Sequence, residues 1–104
     1  MYKRSQGTPG NVAPTVALTS PSNSSSFTAP ATIALSANAA DSDGSVTGVE
    51  FLANGSVIGT DSTSPYSYSW SNVAAGSYNL TARATDNSGA KTTSSAVGVN
   101  VSTG

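Results

Sequence analysis

The stretch of this sequence that most restricts the fold is Val73-Ala74-Ala75-Gly76-Ser77-Tyr78, which leads into apolar residues at Leu80, Ala82 and Ala84. The alternation of apolar and polar residues from Tyr78 onward predicts a β-strand with one buried face. In Greek-key β-sandwiches, a strand of this kind starts at a sharp bend, where a tyrosine bonds its hydroxyl group back to the backbone. This arrangement is called a tyrosine corner, and the sequence predicts one at Tyr78.

Short alternating runs recur along the chain, and turn residues separate them. No stretch shows the apolar stripe at helical spacing that marks an amphipathic helix. Asn54-Gly55 is the clearest turn, because a type I′ hairpin needs positive φ at both central residues. The sequence therefore predicts an all-β fold, an immunoglobulin-like β-sandwich of about seven antiparallel strands in two sheets. We expect strands around the runs Val16–Leu18, Ile33–Ala39, Val49–Phe51, Val57–Gly59, Tyr66–Trp70, Tyr78–Ala84 and Val97–Val101.

The core of this sandwich has to be filled by large side chains, because the sequence has no cysteine with which to form a disulfide. We assign this structural role to Phe51, Trp70, Tyr78 and Leu80. Leu80 stands two residues after Tyr78, at the strand position that a cysteine occupies in disulfide-bonded immunoglobulin domains. We therefore expect Leu80 to lie at the centre of the core.

The 104 residues are enough for one domain with one modest core. We expect residues 1–10 to form a disordered tail or expression remnant, residues 11–101 to form the sandwich, and residues 102–104 to begin a linker. No apolar run approaches the roughly 20 residues of a membrane-spanning helix. We therefore expect no membrane association, and we expect a monomer.

The charge and residue content exclude several classes of function. The net charge is −1, with 4 basic and 5 acidic residues, whereas a protein that binds nucleic acid needs clustered Lys and Arg to contact phosphates. Histidine and cysteine are both absent. The chain therefore cannot build a Ser-His-Asp triad, a Cys-His pair or a zinc site with His or Cys ligands. We expect a protein that is not an enzyme and does not bind nucleic acid.

A family resemblance extends over residues 11–101. The segments that carry it are Ala40–Val46, Val49–Phe51, Asn54-Gly55, Ser64–Tyr66, Trp70, Gly76–Tyr78 and Ala82–Gly89. In this order they resemble the bacterial Ig-like modules that are appended to chitinases, cellulases and other secreted polysaccharide-degrading enzymes. The resemblance implies a secreted, extracellular bacterial domain that serves as a spacer or accessory module. It also implies neighbouring domains of the same chain as partners and, in some members, binding of polysaccharide.

Four polar residues in two predicted loops are candidates for a metal site. Asp41 and Asp43 follow one predicted strand, and Asp86 and Asn87 follow the strand that starts at Tyr78. These two loops lie at the same end of an immunoglobulin-like sandwich, and Ca²⁺ binds carboxylate, amide and carbonyl oxygens. The four residues are therefore candidate ligands for calcium as a cofactor. The alternative is that they serve only as turn formers, which bond to the backbone two residues on.

Three aromatic residues alternate with serines in one predicted strand. Tyr66, Tyr68 and Trp70 project from one side, and the serines project from the other. The serine face marks the side that meets solvent, so we expect Tyr68 and Trp70 in the core. Tyr66 is nearest the strand end, so we expect it to be the exposed aromatic residue, and it is the candidate carbohydrate-binding residue.

These observations favour a non-catalytic Ig-like accessory or spacer module of a secreted, multi-domain polysaccharide-degrading enzyme. Two alternatives remain open: a weak carbohydrate-binding module, and a surface-adhesion repeat unit that calcium makes rigid. Exposed, coplanar aromatic rings would favour the first alternative. Tandem copies in the parent gene would favour the second.

Overall fold

The structure, a computed structural model, describes residues 12–42 and 44–103. Within these ranges the strands are β1 (Thr15–Ser20), β2 (Ser25–Ala29), β3 (Ala31–Ala40), β4 (Val46–Ala53), β5 (Ser56–Asp61), β6 (Tyr66–Val73), β7 (Gly76–Asp86), β8 (Lys91–Thr93) and β9 (Val97–Thr103). The three-stranded sheet has the order β1-β3-β6. The larger sheet has the order β2-β9-β7-β4-β5, with β8 beside β7. Among the described residues, no helix is long and apolar enough to cross a membrane.

The predicted all-β, immunoglobulin-like sandwich of two sheets is confirmed. The described residues form two more strands than the sequence predicts, β2 and β8. The β2 strand pairs with β9 in parallel, from Ser25 opposite Val99 to Ala29 opposite Thr103, whereas we expected antiparallel strands. The other pairings are antiparallel. The predicted tail and Gly104 lie outside the described residues, and β9 continues through Thr103, beyond the expected end of the sandwich.

Apolar side chains from both sheets fill one core. Ile33 of β3, Phe51 of β4 and Leu80 of β7 are each 0% exposed, in line with the expected positions of Phe51 and Leu80. Trp70 and Tyr78 are half-buried and pack against this cluster. Because apolar burial contributes about 25 cal/mol per Å², this core is the main source of stability.

The tyrosine corner predicted at Tyr78 is present. The Tyr78 hydroxyl donates a hydrogen bond to the Ala74 carbonyl oxygen at 2.7 Å. Gly76 has a φ of +154°, a conformation that residues with a Cβ rarely adopt. The Trp70 ring meets the Tyr78 ring edge-on, with 5.0 Å between their centroids. The corner thereby fixes the short link between β6 in one sheet and β7 in the other.

The predicted Asn54-Gly55 hairpin joins β4 to β5. The φ angles are 51° at Asn54 and 86° at Gly55, both positive as a type I′ turn requires. The Asn54 backbone N–H donates to the Asn79 carbonyl at 2.8 Å, and the Asn79 N–H donates to Asn54 Oδ1 at 2.9 Å. The turn residue therefore also ties the hairpin to β7.

Paired residues near the strand termini define two ends of the sandwich. At the end that we call the acidic pole, the pairs are Thr15–Ala40 and Val46–Asp86. At the opposite end, the corner pole, the pairs are Ala31–Val73 and Gly76–Val101. The chain therefore enters the sandwich at the acidic pole, where β1 starts, and leaves it at the corner pole, where β9 ends.

Candidate functional site

Two loops meet at the acidic pole, as the sequence predicts. The loop between β3 and β4 contributes Ser45, and the loop between β7 and β8 contributes Asn87. The Asn87 N–H donates to the Ser45 carbonyl at 2.9 Å, and the Ser45 N–H donates to Asn87 Oδ1 at 3.3 Å. These reciprocal bonds hold the two loops side by side.

Asp86 ends β7 and is the most buried acidic residue of the described chain, with 2% of its surface exposed. Its Oδ1 accepts hydrogen bonds from the N–H groups of Ser88 and Ala90, each at 2.9 Å. This is the turn-forming role that Asp often has. Its Oδ2 is also buried but has no hydrogen-bond partner. Buried polar atoms in proteins are rarely left this way, so this oxygen has spare capacity to accept a donor or bind a cation.

Two further side-chain oxygens lie beside Gly44. A Cβ atom at Gly44 would collide with Asn87 Oδ1, and it would lie 3.3 Å from Asp41 Oδ2. The absence of a side chain at Gly44 therefore leaves room for these two oxygens to approach the same point. Asp41 Oδ2 is shielded from solvent.

The structure thus brings Asp41, Asp86 and Asn87 to one pole, and Asp43 lies outside the described residues. Within residues 12–42 and 44–103, no three acidic, His or Cys side chains are grouped closely enough to hold a metal ion. Two carboxylates and one amide supply the oxygen donors that Ca²⁺ accepts, though fewer than the 6–8 it usually takes. The calcium site remains a prediction.

The prediction that Tyr66 is the exposed aromatic residue is wrong. Tyr66 is only 7% exposed and belongs to the core cluster, because it stands at the start of β6 opposite the buried Ala37 of β3. Tyr68 and Trp70 of the same strand are half-buried instead. Position near a strand end was therefore a poor guide to exposure.

Tyr68 is placed by a glycine on the neighbouring edge strand. A Cβ atom at Gly59 of β5 would collide with the Tyr68 ring, so the ring lies directly over the β5 backbone. Its other neighbour is Phe51, whose ring centroid lies 6.3 Å away at an interplanar angle of 21°. Tyr68 thereby closes the side of the sandwich between β5 and β6.

Two further polar contacts, outside the point where the two loops of the acidic pole meet, were not predicted from the sequence. Arg83 Nε donates to Glu50 Oε1 at 2.7 Å, between positions that are directly paired in β4 and β7. This contact lowers the pKa of Glu50, chiefly through the hydrogen bond from Arg83, and raises the pKa of Arg83. Residues of opposite charge at directly paired positions on neighbouring strands, on the polar face of a sheet, predict an ion pair of this kind.

Asp61 closes the loop between β5 and β6. Its Oδ2 accepts from the Ser67 N–H at 3.0 Å, and its Oδ1 accepts from the Thr63 N–H at 3.1 Å. These N–H groups, that of Ser67 first, lower the pKa of Asp61 because they favour the ionised carboxylate. The sequence Asp61-Ser62-Thr63 is typical of an Asx turn, and it could have predicted this contact.

Comparison with known protein families identifies this sandwich. The profile described as "Bacterial Ig domain" matches residues 14–82, more than half of the chain. The chain belongs to the bacterial Ig domain family. Comparison with curated proteins found no match.

Solved structures resemble this bacterial Ig domain over most of its length. The fibronectin(III)-like modules of Clostridium thermocellum CbhA are 33% identical, with a TM-score of 0.80 over 85% of this chain and 96% of theirs. The PKD1 domain of Vibrio anguillarum Epp is 21% identical, with a TM-score of 0.63 over 90% of this chain and 99% of that one. The PKD1 domain of the Vibrio cholerae metalloprotease PrtV is 24% identical, with a TM-score of 0.54 over 88% of this chain and 100% of that one. The two PKD1 domains show similarity of fold alone.

Proposed function

We propose that this bacterial Ig domain is a non-catalytic accessory or spacer module of a secreted, multi-domain polysaccharide-degrading enzyme. The observation that carries the proposal is the path of the chain, which enters at the acidic pole and leaves at the corner pole. A folded domain with this path holds the segments on its two sides at a fixed separation, which a flexible Ser-rich linker does not. The motif order noted above and the similarity to the CbhA fibronectin(III)-like modules support the proposal.

The contacts of the acidic side chains support a role other than glycoside hydrolysis. Glycosidases place two carboxyl groups about 5–10 Å apart across a sugar-binding cleft. In this domain Glu50 is bound to Arg83, Asp61 is held by backbone N–H groups, and Asp86 is buried. Histidine and cysteine are absent from the sequence. We therefore propose that catalysis belongs to neighbouring domains.

The surface supports a monomeric module whose partners are neighbouring domains of its own chain. Among the described residues, the large apolar side chains that are exposed are Val12 and Val57, at 49% and 48%. Scattered apolar residues of this kind do not form the patch that a stable oligomer needs. We propose an extracellular bacterial location, in keeping with the Ser- and Thr-rich outer strands.

A second candidate function is calcium-dependent rigidity, as in an adhesion repeat unit. The specific observation that favours it is the buried Asp86 Oδ2, which has no hydrogen-bond partner. A cation shared with Asp41 and Asn87 would join the two loops of the acidic pole. Rigidity at this pole is also useful in a spacer, so tandem copies in the parent gene would distinguish the adhesion unit.

Binding to polysaccharide is the first experiment. The domain is mixed with chitin, cellulose and xylan, and we expect no retention on any of them. Tight retention that Trp70→Ala abolishes, with the fold intact by circular dichroism, would replace the spacer proposal with a carbohydrate-binding module. Asn38→Ala, on the outer face of the three-stranded sheet, is the control variant for general surface effects.

Replacement of the domain within its parent enzyme tests the spacer role directly. A Gly/Ser linker of equal mean span is substituted for residues 12–103, and activity is measured on soluble and insoluble polysaccharide. We expect lower activity on the insoluble substrate and unchanged activity on the soluble one. Equal activity of the two enzymes on both substrates would contradict the proposal.

A further inference from the structure

The Asn54-Gly55 turn between β4 and β5 places a chemically reactive pair of residues on the surface. Asn54 is the one asparagine of the sequence that is followed by glycine, and both residues are exposed. No atom of the described residues, other than those of the chain neighbours, lies within 4 Å of the point that a Cβ at position 55 would occupy. Within the described chain, this side of Gly55 is therefore open.

An asparagine followed by glycine can lose its side-chain amide without an enzyme. The Gly55 backbone nitrogen attacks Asn54 Cγ, the bond between this nitrogen and Cγ forms, and the bond between Cγ and Nδ2 breaks. The amide nitrogen leaves as ammonia, taking the proton of the Gly55 N–H, and a five-membered succinimide ring remains. Glycine favours this attack because it has no Cβ beside the nitrogen.

Water then opens the ring in one of two ways. Addition of water at Cγ restores the original backbone and leaves aspartate at position 54. Addition at the backbone carbonyl carbon leaves isoaspartate, in which the chain continues through the side-chain carbon and the backbone is one atom longer. Water is the only co-reactant, and no group is oxidised or reduced.

The folded hairpin opposes the first step. Ring closure needs Cβ of Asn54 and the Gly55 nitrogen on the same side of the Cα–C bond, whereas the ψ of about +30° in a type I′ turn places them on opposite sides. The Asn54 side chain is also held against β7, because its Oδ1 accepts from the Asn79 N–H at 2.9 Å. Its Nδ2 donates to the Ser77 carbonyl at 3.5 Å, at the long end of the hydrogen-bond range. The turn therefore has to open before the ring can form.

The two products differ in whether they can keep this hairpin. Aspartate retains an acceptor for the Asn79 N–H, its charge strengthens that bond, and Asp-Gly is itself a favoured type I′ turn. Isoaspartate adds a backbone atom to a two-residue turn, which the pairing of Ala53 with Ser56 does not accommodate. Further along β5, the Tyr68 ring lies over Gly59. Release of the hairpin would uncover this ring.

We propose that Asn54-Gly55 is a site of spontaneous deamidation that the closed hairpin protects, and that its isoaspartate product opens the sandwich between β5 and β6. The proposal goes beyond the spacer function and does not rest on it, because it concerns the lifetime of the folded domain. Retention on polysaccharide would overturn the spacer function and leave this proposal standing.

The first experiment compares the folded and unfolded chain. The domain is incubated in mildly alkaline buffer with and without urea, and peptide mapping by mass spectrometry measures replacement of the amide NH₂ by OH. We expect modification at Asn54 to be at least about tenfold slower without urea, because the hairpin has to open first. Asn72 is the internal control: it is also exposed with a positive φ of 58°, but the branched Val73 follows it. Equal rates at Asn54 in the two solutions, or a rate in urea no higher than that of Asn72, would overturn the proposal.

Variants separate the covalent step from the opening of the hairpin. In urea, Gly55→Asp should be modified severalfold more slowly than wild type, because it adds a Cβ beside the nitrogen. In buffer, Ile58→Ala removes packing of β5 against the core and should speed the modification severalfold. Leu18→Ala, at a similarly half-buried position in β1, is the matched control and should leave the rate nearly unchanged. An equal increase in both variants would overturn the protective role of the hairpin, because the rate would then follow overall stability.

Sensitivity to chymotrypsin tests the consequence of isoaspartate. Protein aged in urea is returned to buffer, and the fraction rich in isoaspartate is separated by ion-exchange chromatography. Asn54→Asp reproduces the other product and serves as the matched control. We expect cleavage after Tyr68 to be severalfold faster in the isoaspartate fraction than in Asn54→Asp, which should be as resistant as wild type. Equal cleavage of the isoaspartate fraction and Asn54→Asp would overturn the proposed opening between β5 and β6.

Discussion

The two poles of the sandwich differ in how completely their polar groups are bonded. At the corner pole, the Tyr78 hydroxyl bonds Ala74, and the Asn54 amide bonds the β7 backbone. At the acidic pole, Asp86 has one carboxylate oxygen held by two N–H groups and the other buried without a partner. These two polar groups of the corner pole are bonded within the protein, whereas the acidic pole keeps an acceptor that a ligand could use.

The largest expected effect tests whether one core supports both poles. Leu80→Ala removes a fully buried side chain and should lower the free energy of unfolding by about 2–5 kcal/mol through transfer and cavity terms. Hydrogen exchange should then lose protection equally at the acidic-pole end of β7, near Asp86, and at its corner-pole end, near Gly76. Loss confined to one pole would mean that the two ends unfold as separate units, and Val57→Ala on the surface provides the control.

Calcium should stabilise the acidic pole. A cation that binds only the folded state at about ten times its Kd adds about 1.4 kcal/mol, which raises Tm by about 4–8 °C per kcal/mol in a domain of this size. We expect this rise in wild type and its absence in Asp86→Asn and in Asp43→Asn. Asp61→Asn is the matched control, because the Asp61 carboxylate already has its partners. Melting curves that superimpose with calcium and with chelator would leave both poles as purely structural ends.

At the corner pole, Tyr78→Phe removes one hydroxyl and little else. The lost hydrogen bond to Ala74 should reduce the free energy of unfolding by about 1 kcal/mol, as measured by urea titration. Calcium should still raise the Tm of this variant, because the hydroxyl is at the opposite end from Asp86. A Tyr78→Phe variant as stable as wild type would show that Gly76 and the Trp70 contact are sufficient for the corner.

The smallest effect concerns the response of Asp61 to pH. Its folded-state pKa is lowered by the Ser67 and Thr63 N–H groups, so the ionised carboxylate adds stability at any pH above the unfolded value of about 3.9. That contribution is lost as pH falls through the lower folded pKa. Asp61→Asn should therefore be less stable than wild type at neutral pH, and the difference should shrink in acid. If the stability difference between wild type and Asp61→Asn does not change with pH, contacts other than the ionised Asp61 carboxylate stabilise the loop.

The sequence predicted the corner pole better than the acidic pole for a physical reason. A tyrosine corner and an Asn-Gly turn are local, and their residue types are tied to backbone angles, as Gly76 and Asn54 show. Whether Asp86 Oδ2 finds a partner depends on a second loop far along the chain, and sequence alone gives no distance. Convergence of the loops could be predicted from topology, but side-chain bonding could not.

Two other differences between the sequence prediction and the structure also come from contacts between segments that are distant in the chain. Tyr66 is buried because its strand register places it opposite Ala37, and register across a sheet is not encoded in one strand. The β2 strand contains one large apolar residue, Phe27, among Ser and Thr, so its alternation is weak. The β2 segment is a strand because it pairs with β9, a contact that its own sequence does not indicate.

Gly59 constrains how this domain can evolve. Because the Tyr68 ring occupies the space that a side chain at position 59 would need, we expect the two positions to form an epistatic pair. A lineage that gains even a methyl group at position 59 has to move or reduce the side chain of residue 68, which covers the side of the sandwich between β5 and β6. Sequence variation at these two sites should therefore be correlated, with a small residue at one wherever the other is large.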